Sequence, residues 1–281
     1  MNSIDYEAEY NNRARVPEYP GIAERWGGAS ADYRARAHAG FNLPYGPGQR
    51  HKCDLYHPTG GMMAVTPLVV FIHGGYWQRG ERQLNGHVAE QLNALGMAVA
   101  VPSYDLCPAV QVADIVVQMR ACLQMLWRAT QRRPVVCGHS AGGHLTAAML
   151  ATDWSRIAGV PADLVRAGTA ISGVFEVEPL VPTSLNGALR LTPEAARAVS
   201  VRDADLPRSG IELVCAVGGV ESPEFIRQSR DCAHMWAERG AKTSVLEVPG
   251  ANHFTVMDEM TRAGSSMLDA IARQARMYSY A

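Results

Sequence analysis

The chain has 281 residues, 47% of them hydrophobic and 19% charged, a composition that buries a sizeable core and excludes a disordered or nucleic-acid-binding protein. Its 26 basic and 27 acidic residues nearly cancel, so no net field draws it to phosphates or to an anionic membrane, and a small or neutral partner is expected. The length fits one large α/β domain, and the regular alternation described next favours a single domain over residues 1–281.

Met1 to Arg15 is polar and carries Asp5, Glu7 and Glu9, without the basic start or apolar run of a signal peptide. No stretch approaches the length of a membrane span. Residues 1–50 read as an N-terminal arm: Tyr6 to Tyr45 is rich in Tyr, Arg, Gly and Pro, has little periodicity, and is expected to wrap the surface before a first strand near Lys52 to Tyr56. From Leu68 onward short apolar runs alternate with helical patterns, the signature of repeated βαβ units. Strands are predicted at Leu68 to Ile72, Met97 to Val101, Pro134 to Cys137, Ala167 to Ile171, Ile211 to Val217 and Thr243 to Val248. Helices are predicted at Leu84 to Leu95, Val112 to Arg128, Gly142 to Ala151, Pro223 to Arg239 and Val256 to Met277, where apolar residues recur at helical spacing. Val174 to Ser209 departs from the alternation, holds Pro179, Pro182, Pro193 and Pro207 with a helical piece near Pro193 to Val199, and reads as a short cap-like insertion. The expected class is α/β, a mostly parallel central sheet with helices on both faces.

Gly138-His139-Ser140-Ala141-Gly142 follows one predicted strand and opens a predicted helix, the context that a GxSxG nucleophile elbow needs. Alone the pattern is weak in a chain with 26 glycines; the flanking strand and helix make it specific. The serine sits in a strained turn where bulk on either side would collide, which is why glycines flank it. The helix beginning at Ala141 aims its first N–H groups at a reacting carbonyl, so the Ala141 amide supplies half of an oxyanion hole. His73-Gly74-Gly75-Tyr76-Trp77 leaves the strand Leu68 to Ile72 and offers further amides, with Gly75 and Tyr76 the candidates. Trp77 either packs or lines a pocket for a ring-bearing substrate.

Hydrolases with this elbow carry their triad in the chain order Ser, acid, His. One histidine meets that order on a loop after the last strand, His253 in Pro249-Gly250-Ala251-Asn252-His253-Phe254. His139, His144 and His234 read as structural. The acid should follow the preceding strand, where Gly218-Gly219-Val220-Glu221-Ser222-Pro223 places Glu221; Asp205, Glu224 and Asp231 compete, and a glutamate before Ser-Pro can equally complement a helix start. Cys53, Cys107, Cys122, Cys137, Cys215 and Cys232 form no CxxC pair and read as reduced core residues of a cytoplasmic protein. No HExxH or clustered His/Cys site calls for a metal, and no cofactor is expected.

Taken together, these segments resemble the arylformamidase (kynurenine formamidase) branch of the α/β hydrolases. The resemblance is carried by Tyr45-Gly46-Pro47, Asp54-Leu55-Tyr56, His73-Gly74-Gly75-Tyr76-Trp77, Ser103-Tyr104-Asp105-Leu106-Cys107-Pro108 and Gly138-His139-Ser140-Ala141-Gly142-Gly143-His144-Leu145. It continues through Ile171-Ser172-Gly173-Val174-Phe175, Thr183-Ser184-Leu185-Asn186, Glu221-Ser222-Pro223-Glu224-Phe225 and Asn252-His253-Phe254. It implies hydrolysis of N-formyl-L-kynurenine to L-kynurenine and formate, with a small-ester carboxylesterase as the other reading. It also implies Trp77, Tyr104 and Asn186 as substrate-binding residues. The acid is often Asp in such formamidases, and here it is Glu221. A homodimer is an option the sequence leaves open.

Overall fold

The computed structural model describes residues 4–63, 65–207 and 210–280. Eight strands form one sheet: β1 (Ala39–Pro44), β2 (Lys52–Tyr56), β3 (Leu68–Ile72), β4 (Ala98–Pro102), β5 (Pro134–His139), β6 (Ala167–Ile171), β7 (Glu212–Gly218) and β8 (Lys242–Val248). Their spatial order is β1-β2-β4-β3-β5-β6-β7-β8, with β2 antiparallel to both its neighbours, β1 and β4, and the other pairs parallel. Central β3 is buried at every residue, as a parallel strand covered on both faces must be. Leu68, Val70 and Ile72 enter one core cluster, while Val69 and Phe71 enter another on the opposite face.

The first face is covered by α5 (Val112–Thr130), α6 (Ala141–Leu150) and α9 (Pro223–Glu238), and the second by α4 (Ala89–Ala94) and α10 (Ser266–Tyr278). Local chemistry explains these helices. In α5 the buried Val112, Ile115, Met119, Cys122, Leu123 and Leu126 fall on one stripe, and Gln111 with Asp114 closes a capping box at its start. The Ser222 side chain caps α9 and Pro223 occupies its first turn.

Three expected boundaries shift. The predicted helix Leu84 to Leu95 begins as a 3₁₀ stretch, Arg82–Val88, before α4. The predicted helix Val256 to Met277 divides into a 3₁₀ turn, Thr255–Met260, and α10, because Gly264 takes φ +72° and Ser265 starts a new cap. The arm is not irregular: it folds as α1 (Tyr6–Tyr10), α2 (Asn12–Arg15), α3 (Tyr19–Arg36) and the edge strand β1. The insertion between β6 and β7 holds a turn at Glu178–Leu180, α7 (Asn186–Leu189) and α8 (Pro193–Val199), and its last expected residue, Ser209, lies outside the described residues.

The arm and the insertion are tied to the body and to each other. Tyr10 donates to Glu224 at 2.9 Å and accepts from Gln228. The Ser184 backbone N–H and hydroxyl both donate to the Glu7 carboxylate, at 2.7 and 2.8 Å. Gln78 reaches the Leu185 carbonyl at 2.9 Å.

Candidate active site

Ser140 stands between β5 and α6 with φ 57° and ψ −115°, a conformation that costs a non-glycine residue energy and lifts its side chain off the end of the strand. The turn is held by the Ser140 N–H donating to Ile171 at 2.8 Å, and by packing that leaves no room around it. A Cβ at Gly142 would lie 1.9 Å from the Ile72 carbonyl oxygen, and one at Gly138 would lie 2.4 Å from that of Gly142. Beside it, at the end of β3, Gly75, Tyr76 and Trp77 all have positive φ. Among the described residues the amides of Gly75, Tyr76 and Ala141 donate to no protein group, so they remain free for a ligand.

Glu221 and His253 come from the loops after β7 and β8. His253 Nδ1 lies 2.7 Å from Glu221 Oε2, and both side chains are almost fully buried. A carboxylate only accepts, so Nδ1 carries the proton and Nε2 is left as the basic nitrogen. The other glutamate oxygen accepts from the Ser172 hydroxyl and from the Gly218 N–H at 2.7 Å. Two of its neighbours in the chain are zipped to the His253 loop: Gly219 donates to Val248 and Val220 to Ala251, at 2.8 and 3.1 Å. His139 Nε2 donates to the His253 carbonyl at 2.7 Å; burial first, then the charge on His253, push its pKa down to about 3, so it acts as a neutral brace. Phe225 and His139 pack on the His253 ring at 4.5 and 4.7 Å.

Ser140 and His253 open into one cavity of about 500 Å³, within the range of small-molecule sites. Gly74, Gly75 and Tyr76 line it, and Tyr19, Trp26 and Phe254 give it an aromatic wall. Tyr19 packs on Phe254 at 4.2 Å. The arm therefore supplies much of the wall, and Ser184 with Leu185 brings in the insertion.

The three expected substrate contacts lie elsewhere. Trp77 is fully buried, edge-on to His144 at 5.0 Å, because consecutive left-handed residues carry Tyr76 to the cavity and Trp77 to the core. Tyr104 is buried against His73 at 4.3 Å and donates to the His73 carbonyl at 2.9 Å. Asn186 spends its amide on Val181, Leu191 and the Leu191 N–H, closing its own turn. His144 is a core histidine bonded to the Val199 carbonyl at 2.6 Å. Of the competing acids, Asp231 is paired to Arg227, Glu224 is shared between Tyr10 and Arg227, and Asp205 is exposed. Ser172 carried no chemical signal in the sequence; only its place at the end of β6, between the nucleophile strand and the acid strand, marks it.

All these groups sit at the carboxyl ends of adjacent parallel strands, where open α/β sheets place their sites. A BD-FAE family profile matches residues 53–160. The kynurenine formamidase of Salmo salar is 33% identical over 234 residues, covering 81% of this chain and 79% of that protein. The chain belongs to the kynurenine formamidase family. The kynurenine formamidase of Danio rerio is 29% identical over 226 residues, covering 78% of this chain and 76% of that relative. A solved structure from Silicibacter sp. tm1040, described as a candidate thioesterase, has a TM-score of 0.83 at 30% identity and covers 96% of this chain and 99% of its own. The fold is that of the α/β hydrolases, and the elbow, the loop after β3 and the two late loops occupy the places that this fold assigns to a hydrolytic site.

Proposed function

We infer that this formamidase-family chain is a serine hydrolase that cleaves an aryl formamide, with N-formyl-L-kynurenine, giving L-kynurenine and formate, as the substrate. The observation that carries the mechanism is the buried Glu221–His253 pair, whose histidine opens with Ser140 into one cavity walled by Tyr19, Trp26 and Phe254. His253 Nε2 takes the Ser140 hydroxyl proton as the oxygen attacks the formyl carbon, and the amides of Gly75, Tyr76 and Ala141 hold the developing oxyanion. The C–N bond breaks, the imidazolium passes its proton to the departing aryl amine, and a formyl-serine ester remains. Water deprotonated by His253 then releases formate and restores the hydroxyl. Glu221 fixes the imidazole tautomer and stabilises its cation, while Ser172 and the Gly218 amide keep the carboxylate in place.

A formyl group has no side chain to recognise, so selectivity rests on the amine half, which the aromatic wall can stack. The same machinery cleaves small aryl esters, and the solved relative described as a candidate thioesterase keeps ester chemistry as the second reading. Turnover of N-formylkynurenine and p-nitrophenyl acetate by one preparation decides between them: a kcat/KM for the ester higher by orders of magnitude than for the formamide would remove the formamidase assignment. All six cysteines are buried free thiols, which supports a reducing, cytoplasmic setting for a small-molecule enzyme. Among the described residues no helix is long and apolar enough to cross a membrane.

A further inference from the structure

The catalytic cavity is electrically one-sided. Its charged lining residues are Arg13, from α2, and Arg79, from the loop after β3, and neither Asp nor Glu lines it. Several arginines elsewhere on the molecule are paired with carboxylates, as Arg34 and Arg82 are with Asp54, and Arg227 with Glu176, Glu224 and Asp231. The Arg79 guanidinium has no hydrogen-bond or ion-pair partner among the described residues. Arg13 lies over the Tyr19 ring at 4.5 Å and donates to the Tyr19 hydroxyl at 3.1 Å, a neutral partner that leaves its charge uncompensated. Burial, and next the neighbouring Arg13 charge, hold Arg79 below the ordinary guanidinium range, so the two cations feel one another. Like charges kept together without a counter-ion are relieved by an anion placed between them.

We propose that Arg13 and Arg79 form an anion subsite at the mouth of the cavity that takes a carboxylate on the amine half of the substrate. The guanidinium fork matches a carboxylate in two-point geometry, and Tyr19, Trp26, Phe254 and Ser140 line the same cavity as this charge. A substrate anchored at both ends, ring on the wall and carboxylate on the arginines, presents its acyl carbon to the serine with less freedom to lose. The subsite deepens the formamidase reading and rests on it for the identity of the scissile bond, but not for the charge preference itself.

The test uses a matched pair, N-formylkynurenine and the same molecule with its carboxylate converted to a carboxamide, at low and high salt. The wild-type enzyme should favour the carboxylate on the order of ten-fold in kcat/KM, chiefly through KM, and 1 M salt should shrink the ratio because the mouth is exposed. Arg79→Gln and Arg13→Gln should each reduce that ratio several-fold, and Arg79→Lys should recover part of it. Equal efficiencies in the wild type, or variants that keep the wild-type ratio, overturn the subsite. Should neither formamide turn over, the formamidase reading fails, and the same ratio measured on a carboxylate and carboxamide pair of aryl esters decides the subsite separately.

Discussion

His253 is legible in sequence because chain order after the elbow leaves one late loop histidine, while Glu221 is set apart from Asp205, Glu224 and Asp231 only by its bond to that ring. What escapes is anything that depends on which way a backbone turns. Trp77 follows the oxyanion residues, yet its left-handed φ of 55° sends it into the core, and the partner of Glu221, Ser172, becomes visible only once β6 lies between β5 and β7. Ser140→Ala and His253→Ala should each lower kcat at least about a thousand-fold with the fold intact, and the double variant should be scarcely slower than either. Additive losses in steady-state kinetics would show that the two do not act as a unit. Glu221→Gln, with the wrong hydrogen-bonding pattern toward Nδ1, should lose on the order of a hundred-fold or more in kcat. Ser172→Ala removes one of the three groups on that carboxylate and should lose about ten-fold in kcat with KM little changed. A Ser172 variant with wild-type kcat would make that serine a packing residue.

At the level of elements, the strands β2, β3 and β6 follow the predicted runs residue for residue, and in β3 a continuous apolar segment bounded by turns carries that signal plainly. The arm did not announce its helices. In α3 the buried positions are Ile22, Ser30 and Tyr33, too sparse and partly polar for an apolar period, and Gly27 and Gly28 interrupt the propensity. Strand β1 ends in Pro44, is half exposed and is bent at Asn42, which has φ 59°. The arm is nonetheless fastened, and Tyr10 is the fastening on α9. Tyr10→Phe leaves Glu224 and Gln228 short of a partner in a buried site, a cost of about 1–3 kcal/mol. KM for the aromatic substrate should rise several-fold and limited proteolysis should cut within residues 4–18 sooner than in the wild type; unchanged KM and cleavage would mean that the arm is held by other contacts.

For the molecule as a whole, the acid limit is set by histidines that fold in as neutral rings. Burial pushes His73, His87 and His144 down to about 4 and His139 to about 3, whereas an unfolded histidine titrates near about 6.5. Depressed folded values mean that the unfolded chain binds more protons in the window from about 6.5 to about 4, so stability is complete above it and is lost as pH falls through it. Each such histidine adds a slope of up to about 1.4 kcal/mol per pH unit there. Melting temperature should be level from pH 8 to 7 and fall steeply from pH 6 to 4.5, and a flat profile would show that these rings accept protons while folded. The docking of Tyr10 on Glu224, across a separation of 214 positions, has a bearing on biosynthesis. The arm leaves the ribosome before the elbow, whereas the helix it docks on and the loop bearing His253 leave after it. A nascent chain thus carries Ser140 through the whole stretch of translation up to His253 without that histidine or a completed pocket, and the site is assembled only as β7 and β8 join the sheet.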